Sequence, residues 1–180
     1  ILPYSNAAAF EFAGEEFLTG ALARMNVNRD CLNVKTSGDV EKYLGVFPSD
    51  NVFDNNLAQA IEMLNIVDTS IEMLGVPIRK EGLVDVVPKK STGVGVMEAP
   101  RGTLYYRLDL DDKGVVTFAD LCIPTQQNVI SMEKTIGAYV ENLLKKGLGK
   151  KDIMFEVEKM IRAYDPCMSC AAHFLRIDWS

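Results

Sequence analysis

Cysteine and histidine are scarce in this chain of 180 residues, which contains four cysteines and one histidine. Four cysteines are too few for the disulfide scaffold of a small secreted domain. Two of them, Cys167 and Cys170, form a C-x-x-C near the carboxyl end, and His173 follows three residues later. A close C-x-x-C outside such a scaffold indicates metal or redox chemistry in a reducing compartment, so we expect a cytoplasmic protein.

The chain also lacks an excess of positive charge, because 19 Lys and Arg stand against 25 Asp and Glu, for a formal net charge of -6. A protein that binds a phosphate backbone needs such an excess to displace counterions, so we expect no nucleic-acid partner. No apolar run approaches the roughly twenty residues of a transmembrane helix. The start has neither a basic leader nor an initiator Met, which predicts that the chain is cut from a longer polypeptide.

Helical periodicity is clearest between Ser49 and Gly75, after a first stretch, residues 1–48, that predicts only loops and short elements. Ser49 and Asp50 are candidate N-caps, and Gly75 is a suitable end. Apolar residues recur between them at three- and four-residue steps: Leu57, Ile61, Leu64, Val67, Ile71 and Leu74. This spacing predicts one long helix with an apolar face.

The second half predicts a small β-structure followed by two further helices. Two β-rich runs flank "DDKG", which has Asp and Gly where a hairpin turn needs them, and the second run stops at Pro124. Helices are predicted from about Gln126 to Gly147 and over "DIMFEVEKMIRAY" up to Tyr164. We therefore expect a single domain over residues 1–180, of the α+β class, mainly α with long packed helices and a small hairpin or sheet.

The segment "DPCMSCAAH" is the strongest candidate for a functional site. Asp165 and Pro166 are good residues for a helix N-cap and first helical position, which would place Cys167, Cys170 and His173 on adjoining parts of a new helix. Cys167 would then lie in the first turn, where the helix dipole favours the thiolate that binds metal. Sulfur ligands select nickel, zinc, copper(I) or iron.

A single C-x-x-C leaves several interpretations open. It supplies two ligands where a four-coordinate site needs four, so structural zinc would also borrow from His173, Cys122 or Cys31. Two buried cysteines can also be inert packing residues. A thioredoxin-like redox pair is disfavoured, because a long helix and not a strand precedes the motif.

The same segment resembles the C-terminal D-P-C-x-x-C-x-x-H motif of the large, catalytic subunit of nickel–iron hydrogenases. Three other segments agree with that family in the same order, namely "GALARMN", "MEAPRGTLYY" and "IPTQQN". The helix "FDNNLAQAIEML" is similar to the cytoplasmic, multi-subunit branch of the family. Several matches in order are more specific than any one of them, and together they span nearly the whole chain.

The resemblance implies a ligand role for each residue of the carboxyl-terminal motif. Cys167 would be a terminal nickel ligand, and Cys170 would bridge nickel and an iron that carries CO and CN ligands. His173 would hold a Mg or Fe ion beyond that centre. Asp165 has two interpretations, a helix cap or a partner that orients Arg101.

Four further residues would surround the Ni-Fe centre. Arg101 would lie over the open position between the metals and act on hydrogen through its permanent charge. Pro100, Pro124 and Thr125 would line the pocket around the diatomic ligands. Each also has an ordinary structural interpretation, Arg101 as a surface residue at a strand end and Thr125 as a helix N-cap.

As for activity, the resemblance implies a hydrogenase, an oxidoreductase that interconverts H2 with protons and electrons. Its partners would be an iron–sulfur small subunit, further electron-transfer subunits, a maturation protease and nickel-insertion proteins. Such a protease usually removes the residues after this histidine, so the tail "FLRIDWS" after His173 indicates either an unprocessed form or a member that is not cleaved.

The chain departs from the family because it lacks the second, N-terminal C-x-x-C and the proton-relaying glutamate. We therefore expect the C-terminal portion of a subunit, inactive alone, with no metal necessarily bound, and prone to self-association through a bare apolar face. The alternatives are a non-enzymatic zinc- or nickel-binding module and a quinone-reductase subunit. The two retained cysteines count against the latter.

Overall fold

The computed structural model describes residues 14, 17–77 and 80–171, and within them it has five α-helices and one three-stranded antiparallel sheet. The elements in chain order are α1 (Ala21–Asn28), α2 (Val34–Leu44), α3 (Asn55–Leu74), β1 (Ser91–Ala99), β2 (Gly102–Leu110), β3 (Val116–Cys122), α4 (Pro124–Lys145) and α5 (Lys150–Tyr164). The predicted α+β class, mainly helical with a small sheet, is confirmed. None of the helices in these ranges has the length and apolarity needed to cross a membrane.

The predicted long helix is present as α3, preceded by a short 3-10 turn, Val52–Asp54. Gly75 ends it as expected. Its first half is packed, since Ala58 and Ile61 are 0% and 2% exposed and contact the core that α1 and α2 contribute. The apolar side chains of its second half are exposed, with Leu74 82% exposed. The apolar face is therefore continuous in sequence but covered over only part of its length.

The first 48 residues are more ordered than predicted, because α2 is a regular helix of 11 residues. The side chain of Asn33 caps it by accepting a hydrogen bond from the backbone N–H of Lys35. Thr36, which is 0% exposed, donates its hydroxyl to Asp68 of α3 at 2.7 Å. The cap is local, whereas the Thr36–Asp68 contact is tertiary and helps to hold α2 against α3.

The sheet has the order β1-β2-β3 and is antiparallel throughout. Two β-rich runs were predicted, but the first is split into two strands by a turn at Pro100 and Arg101. The pair Ala99 and Gly102 closes that turn. Gly102 adopts a φ of 131°, and a Cβ there would lie 2.4 Å from the side chain of Thr19, so the turn requires glycine.

The last two helices form an antiparallel pair that positions the carboxyl-terminal motif. Pro124 is the first residue of α4, where its missing N–H costs nothing. Buried residues of the pair form two clusters, one around Met132 and Met160 and one around Leu143 and Ile153. The start of α4 and the end of α5 consequently lie side by side.

The buried Thr36–Asp68 contact predicts a specific dependence of stability on pH. The Thr36 hydroxyl, and then Lys35 at 3.3 Å, hold the pKa of Asp68 below its usual value. The carboxylate therefore stabilises the fold above the pKa of an unfolded Asp, about 4, and this contribution is lost as pH falls through the lower folded pKa. We expect Asp68→Asn to lower Tm at pH 7 and to flatten the fall of Tm between about pH 5 and pH 2.

Asp39→Asn is the matched control for this measurement, because Asp39 is the exposed partner of the same lysine. Circular dichroism melts over the acid range would report both variants. Equal acid slopes for Asp68→Asn and the unsubstituted chain would contradict the assignment.

Candidate functional site

Three segments that are far apart in the sequence meet at the end of α5. They are the motif that begins at Asp165, the start of α4 with Thr125, and the β1–β2 turn with Arg101. Direct hydrogen bonds join the motif to each of the other two. The site is thus formed by the end of α5, the start of α4 and the β1–β2 turn. The packing of α4 against α5, together with α3, holds these three segments in place.

Asp165 ends a helix, so the prediction that it begins one is wrong. Its backbone N–H donates to the carbonyl of Arg162, and its backbone has a φ of 50° and a ψ of 53°. Cys167 lies in irregular chain and Cys170 in a turn, with the Cys170 N–H donating to the Cys167 carbonyl at 3.2 Å. The described part of the motif is therefore not on a helix, and Cys167 does not lie in the first turn of a new helix as predicted.

The side chain of Arg101 donates hydrogen bonds to both the backbone carbonyl and the carboxylate of Asp165. Its Nε donates to the Asp165 carbonyl at 2.7 Å, and its Nη2 donates to Oδ1 at 2.9 Å. The amide of Gln59, on α3, donates to the remaining oxygen, Oδ2, at 3.0 Å. Both carboxylate oxygens are thereby occupied. This geometry corresponds to the second of the two interpretations of Asp165, a partner that orients Arg101.

Thr125 connects α4 to the cysteine motif. It is 4% exposed, and its Oγ1 accepts a hydrogen bond from the backbone N–H of Cys167 at 3.0 Å. The N-cap of α4 is Ile123, so the interpretation of Thr125 as a plain N-cap is wrong. A hydroxyl that accepts one hydrogen bond still has its own proton to donate. Of the two pocket prolines, Pro124 is buried and Pro100 is exposed.

Cys167 and Cys170 are joined by a disulfide bond, and the hydroxyl of Ser169 lies beside both sulfurs. The pair must be reduced before either sulfur can bind metal. Cys31 and Cys122 are free thiols, at the end of the 3-10 turn after α1 and at the last residue of β3. Among the described residues, no three His, Cys, Asp or Glu side chains are grouped as a metal site. His173 lies outside the described residues.

The four cysteines are expected to separate into three classes of reactivity toward a thiol reagent. In the native, oxidised chain Cys31 should react fast because it is exposed. Cys122 should react slowly, because burial and then the charge of Asp120 raise its pKa. Cys167 and Cys170 should react only after reduction. Ellman titration with peptide mapping would measure this, and fast labelling at Cys170 without reductant would contradict it.

The structure also identifies site residues that sequence reasoning missed. Gln59 binds Asp165, and the buried Asn55 donates to the carbonyl of Ala163 at 2.7 Å, two residues before Asp165. Arg24 donates to the carbonyls of Ala99 and Pro100, directly before Arg101. All three residues lie inside segments already singled out, Arg24 in "GALARMN" and both Asn55 and Gln59 in "FDNNLAQAIEML".

Comparison with known proteins gives a consistent result. The family model described as nickel-dependent hydrogenase matches residues 3–173. Sulfhydrogenase 1 subunit alpha of Pyrococcus furiosus is 32% identical over 98% of this chain, and NAD-reducing hydrogenase HoxS subunit beta of Cupriavidus necator is 37% identical over 87% of it. The chain spans only 41% and 34% of those two relatives.

Solved structures agree on the fold. The crystal structure of an NAD+-reducing nickel–iron hydrogenase in its H2-reduced state matches with a TM-score of 0.67 and 27% identity, over 89% of this chain and 37% of that one. A nickel–iron–selenium hydrogenase of Desulfovibrio vulgaris Hildenborough matches with a TM-score of 0.64 and 21% identity, over 92% of this chain and 37% of that one. The chain belongs to the nickel-dependent hydrogenase family.

Proposed function

We propose that Cys167 and Cys170, once reduced, supply two of the ligands of a nickel–iron centre in a subunit that interconverts H2 with protons and electrons. The observation that carries this proposal is the meeting of the sulfur pair with Thr125 and with the Arg101–Asp165 pair at one place in the fold. The family match over residues 3–173 supports the same conclusion.

The residues present fit such a centre by their chemistry. Two neighbouring sulfurs on one turn are soft donors, suited to nickel and iron. Cys167 would bind nickel and Cys170 would bridge nickel and iron. CO and CN on the iron, and a Mg or Fe ion at His173, belong to the same proposal. When bound, the centre would supply the acceptor for the electrons of hydrogen.

Arg101 is the residue that would act on hydrogen from the protein side. Its guanidinium stays charged at every working pH, and it is oriented from behind by the carbonyl and carboxylate of Asp165. A fixed positive group near the reacting atoms stabilises developing negative charge without having to reorganise. Asp165 therefore positions Arg101 and neutralises part of its charge.

Thr125 and the two prolines would shape the cavity around the small ligands. The Thr125 oxygen accepts a hydrogen bond from the Cys167 N–H, so its own hydroxyl proton points away from Cys167. That proton would donate a hydrogen bond to a cyanide nitrogen. Pro124, buried at the start of α4, leaves no backbone N–H at that point. Reduced thiolates can also accept a proton, which makes the sulfurs candidate bases.

Electrons would leave through an iron–sulfur small subunit and further electron-transfer subunits. A maturation protease and nickel-insertion proteins would act on the complete subunit in the cytoplasm. The chain spans less than half of its relatives and holds one of the two C-x-x-C pairs that the family resemblance implies. We therefore propose that the chain alone does not turn over hydrogen.

Metal analysis and hydrogen turnover test this proposal together. The chain is expected to remain folded after chelation, because the apolar clusters of the described residues contain no cysteine, and to show no uptake of H2. The complete subunit should hold nickel and iron, and Cys167→Ser or Cys170→Ser should remove the nickel. Cys31→Ser, at an exposed free thiol, is the control and should retain it.

Two results would overturn parts of the proposal. Turnover of H2 by the purified chain would refute the inactive fragment. Stoichiometric zinc, with unfolding in chelator, would favour the alternative, a non-enzymatic metal-binding module that uses Cys167, Cys170 and His173.

A further inference from the structure

We infer that Arg24 is a second positioning residue of the site, because it sets the conformation of the turn that presents Arg101. This inference rests on the proposed role of Arg101. Arg24 lies on α1, and α2, α3 and β1 separate it in the chain from the β1–β2 turn. Its side chain is 22% exposed and contacts α3 and the turn at the same time.

All five N–H groups of the Arg24 guanidinium have a defined acceptor. Nε and Nη2 form a fork on the carboxylate of Glu62, with both distances at 2.6 Å. Nη1 donates to Glu98 and to the carbonyl of Ala99, the latter at 3.0 Å. Nη2 also donates to the carbonyl of Pro100 at 2.9 Å. A guanidinium has five donors in a fixed plane, so this set determines its orientation completely.

The acceptors of Arg24 lie on two different parts of the fold, the helix α3 and the β1–β2 hairpin. Glu62 is on α3, one helical turn after Gln59, which holds Asp165. The Pro100 carbonyl belongs to the peptide that leads into Arg101, so fixing it fixes the plane of that peptide. Arg24 thus ties the backbone that carries Arg101 to the helix that carries a partner of Asp165.

Close packing supports the turn from its other side. A Cβ added at Gly20 would lie 3.1 Å from the carbonyl oxygen of Arg101, so α1 begins directly against this residue. Glu98 is also held by the hydroxyl of Thr103 at 2.6 Å. The two carboxylates raise the pKa of Arg24, with the Glu62 hydrogen bond as the largest cause. Arg24 is therefore charged whenever the fold is intact.

Lysine cannot replace this residue, although it retains the charge. Its ammonium is a point charge with three rotatable donors and cannot form the planar fork. Arg24→Lys should thus leave the helices in place and release the Pro100 carbonyl. Arg101 would then lose its fixed approach to Asp165.

Hydrogen exchange of the Arg101 Nε–H in the uniformly 15N-labelled chain tests this directly. The signal is assigned by its loss in Arg101→Lys. We expect Arg24→Lys to accelerate its exchange about tenfold relative to the exchange of the Met160 amide, which lies in the buried part of α5 and reports global opening. Arg107→Lys, the same substitution at an exposed site on β2, should change that ratio by less than about twofold.

A second variant keeps the test decisive if Arg24→Lys does not fold. Glu98→Gln removes one charged acceptor on the turn and should give a smaller acceleration in the same direction. Equal acceleration of the Arg101 and Met160 signals would assign Arg24 to general stability, and no acceleration would exclude it as a positioning residue. No metal and no turnover are involved, so either result leaves the proposed function standing. Conversely, a complete subunit without hydrogen turnover would refute that function and leave the contact intact.

Discussion

Asn55→Ala is expected to lower the free energy of unfolding by about 2–5 kcal/mol, since it leaves two buried backbone groups without partners. Asn55 is 8% exposed and lies at the start of α3. Its Oδ1 accepts from the backbone N–H of Leu22 at 2.8 Å, and its Nδ2 donates to the carbonyl of Ala163 at 2.7 Å. One amide therefore ties α1, α3 and the end of α5 together.

Asn56→Ala provides the matched control, because the neighbouring Asn56 is exposed on the same helical turn. It should change the free energy of unfolding by less than about 0.5 kcal/mol. Urea denaturation followed by circular dichroism measures both variants. Similar losses for the two would show that the buried amide of Asn55 is not responsible, since alanine itself has the higher helix propensity. A loss under about 1 kcal/mol for Asn55→Ala would indicate that water replaces the amide.

Arg101→Lys in the complete subunit is expected to reduce hydrogen turnover by about 100- to 1,000-fold, the usual effect of removing one preorganised stabilising group. Lysine keeps a positive charge, but it cannot reproduce the paired bonds from Nε and Nη2 to Asp165. A positive charge would remain at this position, but the orientation of the charged group would no longer be fixed. Activity assays with hydrogen and an artificial electron acceptor measure the change.

The nickel content of the Arg101→Lys subunit distinguishes this effect from loss of the centre. It should equal that of the unsubstituted protein, because the hydrogen bonds of the Arg101 side chain go to Asp165 and Arg101 is not a proposed metal ligand. Arg107→Lys should retain turnover, since Arg107 is exposed on β2 and pairs weakly with Asp109 at 3.5 Å. Full turnover by Arg101→Lys would remove Arg101 from the proposed mechanism.

Local patterns predicted the elements that depend on local chemistry. The long helix α3 with its end at Gly75, the start of α4 near Pro124 and the end of α5 at Tyr164 agree with the predicted pattern, but the N-cap of α3 is Asp54 and not Ser49 or Asp50. The helix α2 was missed, because its stability comes from Thr36 binding Asp68, 32 residues away. Contacts at that separation leave no periodic signal.

The error at Asp165 has a physical cause in the side chain itself. Aspartate is a good N-cap, and it also tolerates the positive φ that often ends a helix. Proline follows naturally in both cases, either as a first helical residue or as a residue that cannot continue a helix. The pair Asp165–Pro166 is therefore ambiguous by itself. The contacts from Arg101 and Gln59 determine which form occurs, and they come from 64 and 106 residues earlier.

The backbone of Asp165, with its φ of 50°, affects how mutations at the site should be interpreted. This is the left-handed region, where an alanine costs roughly 1–2 kcal/mol that has nothing to do with charge. Alanine scanning would therefore report two losses as one. Asp165→Asn keeps the left-handed backbone conformation and removes only the charge, whereas Asp165→Gly keeps the conformation and removes the whole side chain. The difference between those two substitutions isolates what the side chain contributes.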